Sequence, residues 1–228
     1  MSYTIQLDPQ VPVTADQSCY IVTIDEATIL RVTVTTDDAR IQEWLNLTLL
    51  SNGDNIVSIH AEPRPFCCEL VPACAQPTIA ALFIAIGLHV LVVQVRCSQA
   101  LPQILANQLL ANRRLFFIGM NQAHTSRWLR ARGHNLNNCM DVRSLVAGIT
   151  GRERLQTVGL RRLVRVVLRL TLNPSLSSRF CLLRWWFPNL SPELVMQGSI
   201  RAFMVFGMAW AILCASPSMR HLRRRRRR

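Results

Sequence analysis

The sequence predicts an α/β protein built as one layered structure, a mixed sheet between helices. Three observations predict it. Strand-like alternation at residues 3–7 and 20–35 precedes the first helical periodicity. A short apolar run, Ile56, Val57 and Ile59, then ends in polar His60 and Glu62. Beyond residue 79, buried strand-like runs alternate with amphipathic stretches.

Taken in order, Tyr3–Leu7 reads as a strand, and CYIVTI and ATILRVTVT read as a hairpin turning at Asp25-Glu26. Thr36-Asp37-Asp38 supplies a helix N-cap. Ile41, Trp44, Leu45 and Leu49 follow at helical spacing until Ser51-Asn52-Gly53-Asp54. In the strand after that turn, residues two apart share a face, so His60 and Glu62 stand side by side at its exit. The ends of central strands are where α/β proteins place ligands.

Leu70–Val95 is a 26-residue stretch without a charge, long enough for a bilayer span. Pro72, Pro77 and the Gly87-Leu88-His89 turn argue instead for two buried strands, Ile79–Ile84 and Val90–Val95. Ser98 caps a helix through residues 102–112, with Ile104, Leu105, Leu109 and Leu110 apolar. Leu115–Met120 is a buried strand, Gln122–Arg132 a helix and Leu136–Asp141 a short strand. Thr150-Gly-Arg-Glu153 has capping-box spacing and predicts one long helix with Leu155, Gly159, Leu163, Val166 or Val167, and Leu170 inward. Ser191-Pro192-Glu193 opens a final helix that runs through Ala202–Ala215. Six consecutive arginines, Arg223–Arg228, form a tail expected to be disordered.

Charge is divided unevenly. Residues 1–70 carry ten acids against three arginines, and residues 71–228 carry three acids against 23 arginines, for a formal net charge of +13. A basic half of this size suits a polyanion partner. All the basic residues except the histidines are Arg, which pairs bidentately with phosphate. The eight cysteines have no C-x-x-C pair and no zinc spacing, so reduced, mostly buried thiols are expected. The N-terminus has no basic region followed by an apolar run, so the chain is expected in the nucleus or cytoplasm and not secreted. The 14-residue apolar segment at 202–215 is shorter than the about 20 residues of a span, so no membrane association is expected.

Several segments together resemble the DEDDy-type 3′–5′ exonuclease domains of the ribonuclease D and Werner syndrome-like family, over roughly residues 55–213. His60-Ala-Glu62 followed by Arg64-Pro65 resembles the first motif. FIGMNQAHTSRWL at 117–129 resembles the second, a strand, a Gly and an Asp-bearing helix. MDVRSLVA at 140–147, LQTVGLRRLVRVVL at 155–168, and Trp185 with LSPELV at 190–195 are similar to the segments leading into the third. The resemblance implies a ribonuclease H-like three-layer fold with a mixed five-stranded sheet and, ahead of it, an N-terminal β-hairpin. The expected division is an N-terminal hairpin and helix at 1–54, an exonuclease-like domain at 55–216 and a basic tail at 217–228.

The family's chemistry, as the resemblance implies it, is phosphodiester hydrolysis by two Mg or Mn ions held on four carboxylates, with a Tyr orienting the attacking water. Two divalent cations at about 3.5–4 Å repel strongly without those carboxylates. Position by position, the first Asp is His60, Glu62 is retained, the second-motif Asp is Thr125 beside His124, the Tyr is Gln197, and the last Asp is Arg201. The expectation is therefore a protein that binds nucleic acid, DNA or RNA, without a metal cofactor and without hydrolysing it. Glu62 is the one position that would meet a metal if any did. Two alternatives are a non-catalytic module partnering an active exonuclease relative, and an active enzyme with a rearranged site. A His60, Glu62 and His124 trio is the one grouping suited to a single transition metal.

For nucleic-acid contact the candidates are Arg161, Arg165 and Arg169 as a stripe spaced by four, Arg184 with Trp185 as a stacking group, and Arg201 at the former metal position. Against these stand a solvated helix face for the stripe and core packing for the tryptophan.

Overall fold

The computed structural model describes residues 1–14, 17–51, 55–63, 79–95, 100–173 and 190–215. One mixed sheet runs through the molecule. Its strands are β1 (Tyr3–Leu7), β2 (Gln17–Ile24), β3 (Thr28–Thr35), β4 (Ile56–Pro63), β5 (Ile79–Ile86), β6 (His89–Gln94), β7 (Phe116–Gly119) and β8 (Cys139–Asp141). They lie in the order β1-β2-β3-β6-β5-β4-β7-β8. The five strands expected for the core are the run β6-β5-β4-β7-β8, antiparallel through β4 and parallel from β4 to β8. The N-terminal strands continue this same sheet, because β3 pairs in parallel with β6 from Arg31↔His89 to Val34↔Val92.

The helices are α1 (Asp38–Ser51), α2 (Gln122–Ala131), α3 (Val142–Thr150), α4 (Leu160–Val167) and α5 (Pro192–Ala215). On one sheet face α3, α4 and α5 pack over Ile56, Phe83, Val90 and Val92. On the other, Trp44 and Leu45 of α1 and Trp128 and Leu129 of α2 pack with Val57, Ile59 and Leu91. Every residue of β5 is buried, which is why its sequence is a continuous apolar run without alternation. The 26-residue uncharged stretch is thus explained by a hairpin: β5 and β6 turn at Gly87, whose φ of 59° suits glycine.

The expected hairpin at Asp25-Glu26 forms, with both residues at left-handed φ (48° and 57°) inside a three-residue connection between Ile24 and Thr28, where the Ala27 N–H donates to the Ile24 carbonyl at 3.2 Å. Asp37 caps α1 by accepting the Arg40 N–H at 2.9 Å, and Ser191 caps α5 through the Leu194 N–H at 3.4 Å. α5 is long and apolar enough to cross a membrane by length and composition, but more than half of that stretch is buried against this sheet and its neighbours. Its approach is close: a Cβ at Gly198 would lie 2.2 Å from the Phe83 ring.

The capping box at Thr150 does not form. Thr150 is the last residue of α3, its hydroxyl donates back to the Val146 carbonyl at 2.7 Å, and Gly151 ends the helix at φ 66°. A 3₁₀ turn (Glu153–Thr157) and the short α4 replace the single long helix. Leu155 and Leu163 are buried as expected, whereas Gly159 precedes α4 and is exposed, as is Leu170. The stretch after Pro102 also differs: Leu105–Leu110 is a π-helical turn, with Ala111 N–H bonded to the Ala106 carbonyl. Cys19 is a buried free thiol, but Cys139 is exposed. The expectations on Asn52–Asp54, Arg64-Pro65, Cys67, Cys68, Cys74, Cys97, Ser98, Cys181, Arg184, Trp185, Trp186, Phe187 and the arginine tail lie outside the described residues.

Candidate functional site at the end of the central strand

Strand alternation puts Ile56, Ser58, His60 and Glu62 on the α5 side of β4. His60 and Glu62 stand side by side as the i, i+2 spacing requires, with His60 Nε2 2.8 Å from Glu62 Oε1. From α5, Arg201 reaches the same oxygen through Nη1 at 2.5 Å. Glu62 is 2% exposed, while the His60 and Arg201 side chains are 17% and 18% exposed. The His60 ring is tilted against Phe83, with centroids 6.3 Å apart.

Burial pushes the Glu62 carboxyl up, but the charges and hydrogen bonds of His60 and Arg201 outweigh it and hold the group below the usual carboxylate range. Glu62 is thus an anion whose charge is compensated inside the protein. With the carboxylate ionised, His60 Nε2 donates the hydrogen in this contact.

The remaining motif positions are placed by α2 and α5. Gln197 is half-buried on α5, one turn ahead of Arg201. Thr125 is 2% exposed on α2, and His124 beside it has a buried Nε2 without a hydrogen-bond partner among the described residues. α2 is pinned by its neighbours. Asn121, at left-handed φ 55°, accepts from Arg143, which also donates Nε and Nη2 to Asp141; Asp141 caps α3 through the Arg143 N–H and accepts the Gln122 N–H. Gly119 permits this turn, since a Cβ there would lie 2.4 Å from the Ile59 carbonyl oxygen. Burial opposes ionisation of Asp141, and the Arg143 hydrogen bonds overcome it, lowering its pKa.

The residues do not fit a pair of divalent cations. Glu62 is one carboxylate where such a pair needs several, and its Oε1 is already shared by a guanidinium and an imidazole. Among the described residues no group of three or more His, Cys, Asp or Glu side chains could hold a metal ion, so His60, Glu62 and His124 do not assemble as a trio. Of the expected contact residues, Arg161 and Arg165 are exposed one turn apart on α4. Arg169 leaves the stripe: α4 ends at Val167, and Arg169 sits beyond the C-cap at φ 59°. Sequence reasoning missed the direct Arg201–Glu62 contact. Its signal was a base at a position where the resemblance implies an acid, with a single acid kept opposite.

No protein-family model and no curated protein matches the sequence. Solved structures do match. The chain is similar to the catalytic core of Trypanosoma brucei RRP6 (C496S mutant) at TM-score 0.64 and 12% identity, covering 87% of this chain and 51% of that one. It is similar to the Aedes aegypti Nibbler EXO domain at TM-score 0.58 and 15% identity, covering 79% and 86%. It is similar to Escherichia coli RNase D, an exoribonuclease involved in structured RNA processing, at TM-score 0.57 and 15% identity, covering 81% and 44%. The chain therefore spans about half the length of the RRP6 core. At these identities the likeness is one of fold, and the fold is the ribonuclease H-like α/β fold of the DEDD-type 3′–5′ exonucleases.

Proposed function

We propose that this chain binds nucleic acid on an exonuclease scaffold and does not hydrolyse phosphodiester bonds by the two-metal route. The observation that carries the reading is the ion pair between Glu62 and Arg201. The resemblance puts both residues at metal-ligand positions. Here one neutralises the other, so the site holds its own cation in the form of a guanidinium. A phosphate approaching this end of β4 meets Arg201 and His60 without a metal between them. The basic half of the chain supports a polyanion as ligand.

The test is an assay on 3′-labelled single-stranded and recessed-end DNA and RNA with Mg²⁺ or Mn²⁺, beside a Glu62→Gln control, with binding measured at two salt concentrations. The expected result is salt-sensitive binding with no shortening of the label. Stepwise 3′ shortening that disappears in Glu62→Gln would overturn the reading.

A further inference from the structure

The sequence between Glu69 and Asp141 contains no acid, and residues 101–140 contain five arginines: Arg113, Arg114, Arg127, Arg130 and Arg132. The fold gathers them at one edge of the sheet. Arg113 and Arg114 lie in the turn that enters β7. The Arg113 carbonyl accepts from Asn138 Nδ2 at 2.6 Å, which ties that turn to the residue before β8. Cys139, the first residue of β8, lies 3.6 Å from the Ser126 hydroxyl of α2. Arg127 follows Ser126, and Arg130 is one turn further along, so both guanidinium-bearing positions continue from this junction. Arg132 closes the helix with its guanidinium over the Trp128 ring, 5.2 Å from the centroid.

Arg113, Arg114, Arg127 and Arg130 are exposed, and none is in an ion pair among the described residues. Asp141, the first acid downstream, is already engaged by Arg143. One cation in the last turn of α2 is accounted for by the helix dipole, and Arg130 fills that place. The other three have no such role. These exposed cations share one edge of the sheet, with no ion-pair partner among the described residues.

We propose that this edge, the outer side of α2 with the turns entering β7 and β8, is a second binding surface for a nucleic-acid strand. It is distinct from the His60, Glu62 and Arg201 end of β4. The proposal rests on the nucleic-acid reading above and names where the strand is held. α2 starts beside the Asn121, Asp141 and Arg143 network at the site end and runs ten residues away from it, about 15 Å. A backbone lying along α2 would connect the surface with the site across two or three nucleotides. The chemistry is phosphate recognition by guanidinium groups. Exposed Asn135 and Asn137 add amide donors and acceptors at its margin. An anionic membrane is the poorer fit, because Met140 is the one exposed large hydrophobic residue between positions 100 and 141.

The experiment uses the full chain and fluorescein-labelled single-stranded 20-mers of DNA and RNA, titrated across a salt series. The variant is Arg113→Glu/Arg127→Glu/Arg130→Glu, with its Gln counterpart and an Arg161→Glu/Arg165→Glu variant on α4, each checked for an unchanged melting transition. The α2-edge variants are expected to bind at least about tenfold more weakly and to lower the slope of log affinity against log salt by about 2, at about 0.7 per lost phosphate contact. The α4 variant, at two other contact candidates, is expected to lose less than the α2-edge variants. Unchanged binding in the α2-edge variants, or loss in the α4 variant alone, would overturn the surface while leaving nucleic-acid binding intact. Absence of wild-type binding would remove both. Binding of phosphatidylserine vesicles in preference to the oligonucleotides, lost in the same variants, would overturn the assignment to nucleic acid.

Discussion

Glu62 is a buried carboxylate whose two partners come from its own strand and from α5. Removing one partner of such a group leaves a charge without compensation, at a cost of about 3–5 kcal/mol. Arg201→Met is therefore expected to destabilise the fold by roughly that amount in urea unfolding, and Glu62→Gln/Arg201→Met to recover a large part of it. Additive losses, with the double variant costing the sum of the two single variants, would show that the pair is not coupled. The acid limb of stability follows from the same groups. Both Glu62 and Asp141 have pKa values lowered by folding, so their stabilisation is present above the ordinary carboxylate range and is lost as pH falls through the depressed values. Glu62→Gln should flatten the fall of the urea midpoint with decreasing pH. A profile as steep as wild type would remove Glu62 from the account. The substitution of an acid by Arg201 was legible in the sequence, but its contact with Glu62 was not, because 138 residues of intervening chain separate them and only the docking of α5 on β4 brings them together.

At the scale of elements, the sequence was most readable where a single periodicity or cap decided the outcome. α1 and α5 start at their expected caps, and β5 and β6 form the hairpin expected from an uncharged run broken by Gly87. It misled at Thr150-Gly151. The Thr-x-x-Glu spacing suits a helix start, but a glycine at left-handed φ ends the helix arriving from Asp141. Local pattern alone does not distinguish the end of one helix from the start of the next when both fall within four residues. Arg169 leaves the arginine stripe for the same reason, since the helix stops at Val167, while Arg161 and Arg165 stay exposed one turn apart. The docking of α5 depends on Gly198. Gly198→Ala puts a methyl group into the Phe83 ring and is expected to cost about 1–3 kcal/mol, with partial recovery in Gly198→Ala/Phe83→Leu. Thermal unfolding of the two variants checks this, and an unchanged midpoint in Gly198→Ala would mean that α5 sits further from β5.

For the whole molecule, the layered α/β class and the central run of five strands were legible because buried strands and amphipathic helices differ in period. The N-terminal strands joining the same sheet through β3 and β6 were not, since parallel pairing of distant segments leaves no local mark. The basic edge around α2 escaped for a similar reason: its arginines come from two separate stretches, tied to the β8 entrance by the Asn138 bond to the Arg113 carbonyl and the Ser126–Cys139 contact. The molecule has the fold of the solved exonuclease structures it is similar to, and its buried Glu62 carboxylate is paired with its own Arg201 guanidinium. Titration of Mn²⁺ into the protein, followed by the electron paramagnetic resonance of the free ion, tests that statement most directly. The free-ion signal is expected to stay undiminished through the millimolar range, in wild type as in Glu62→Gln. Loss of two equivalents of free Mn²⁺ per chain in wild type, abolished by Glu62→Gln, would contradict it.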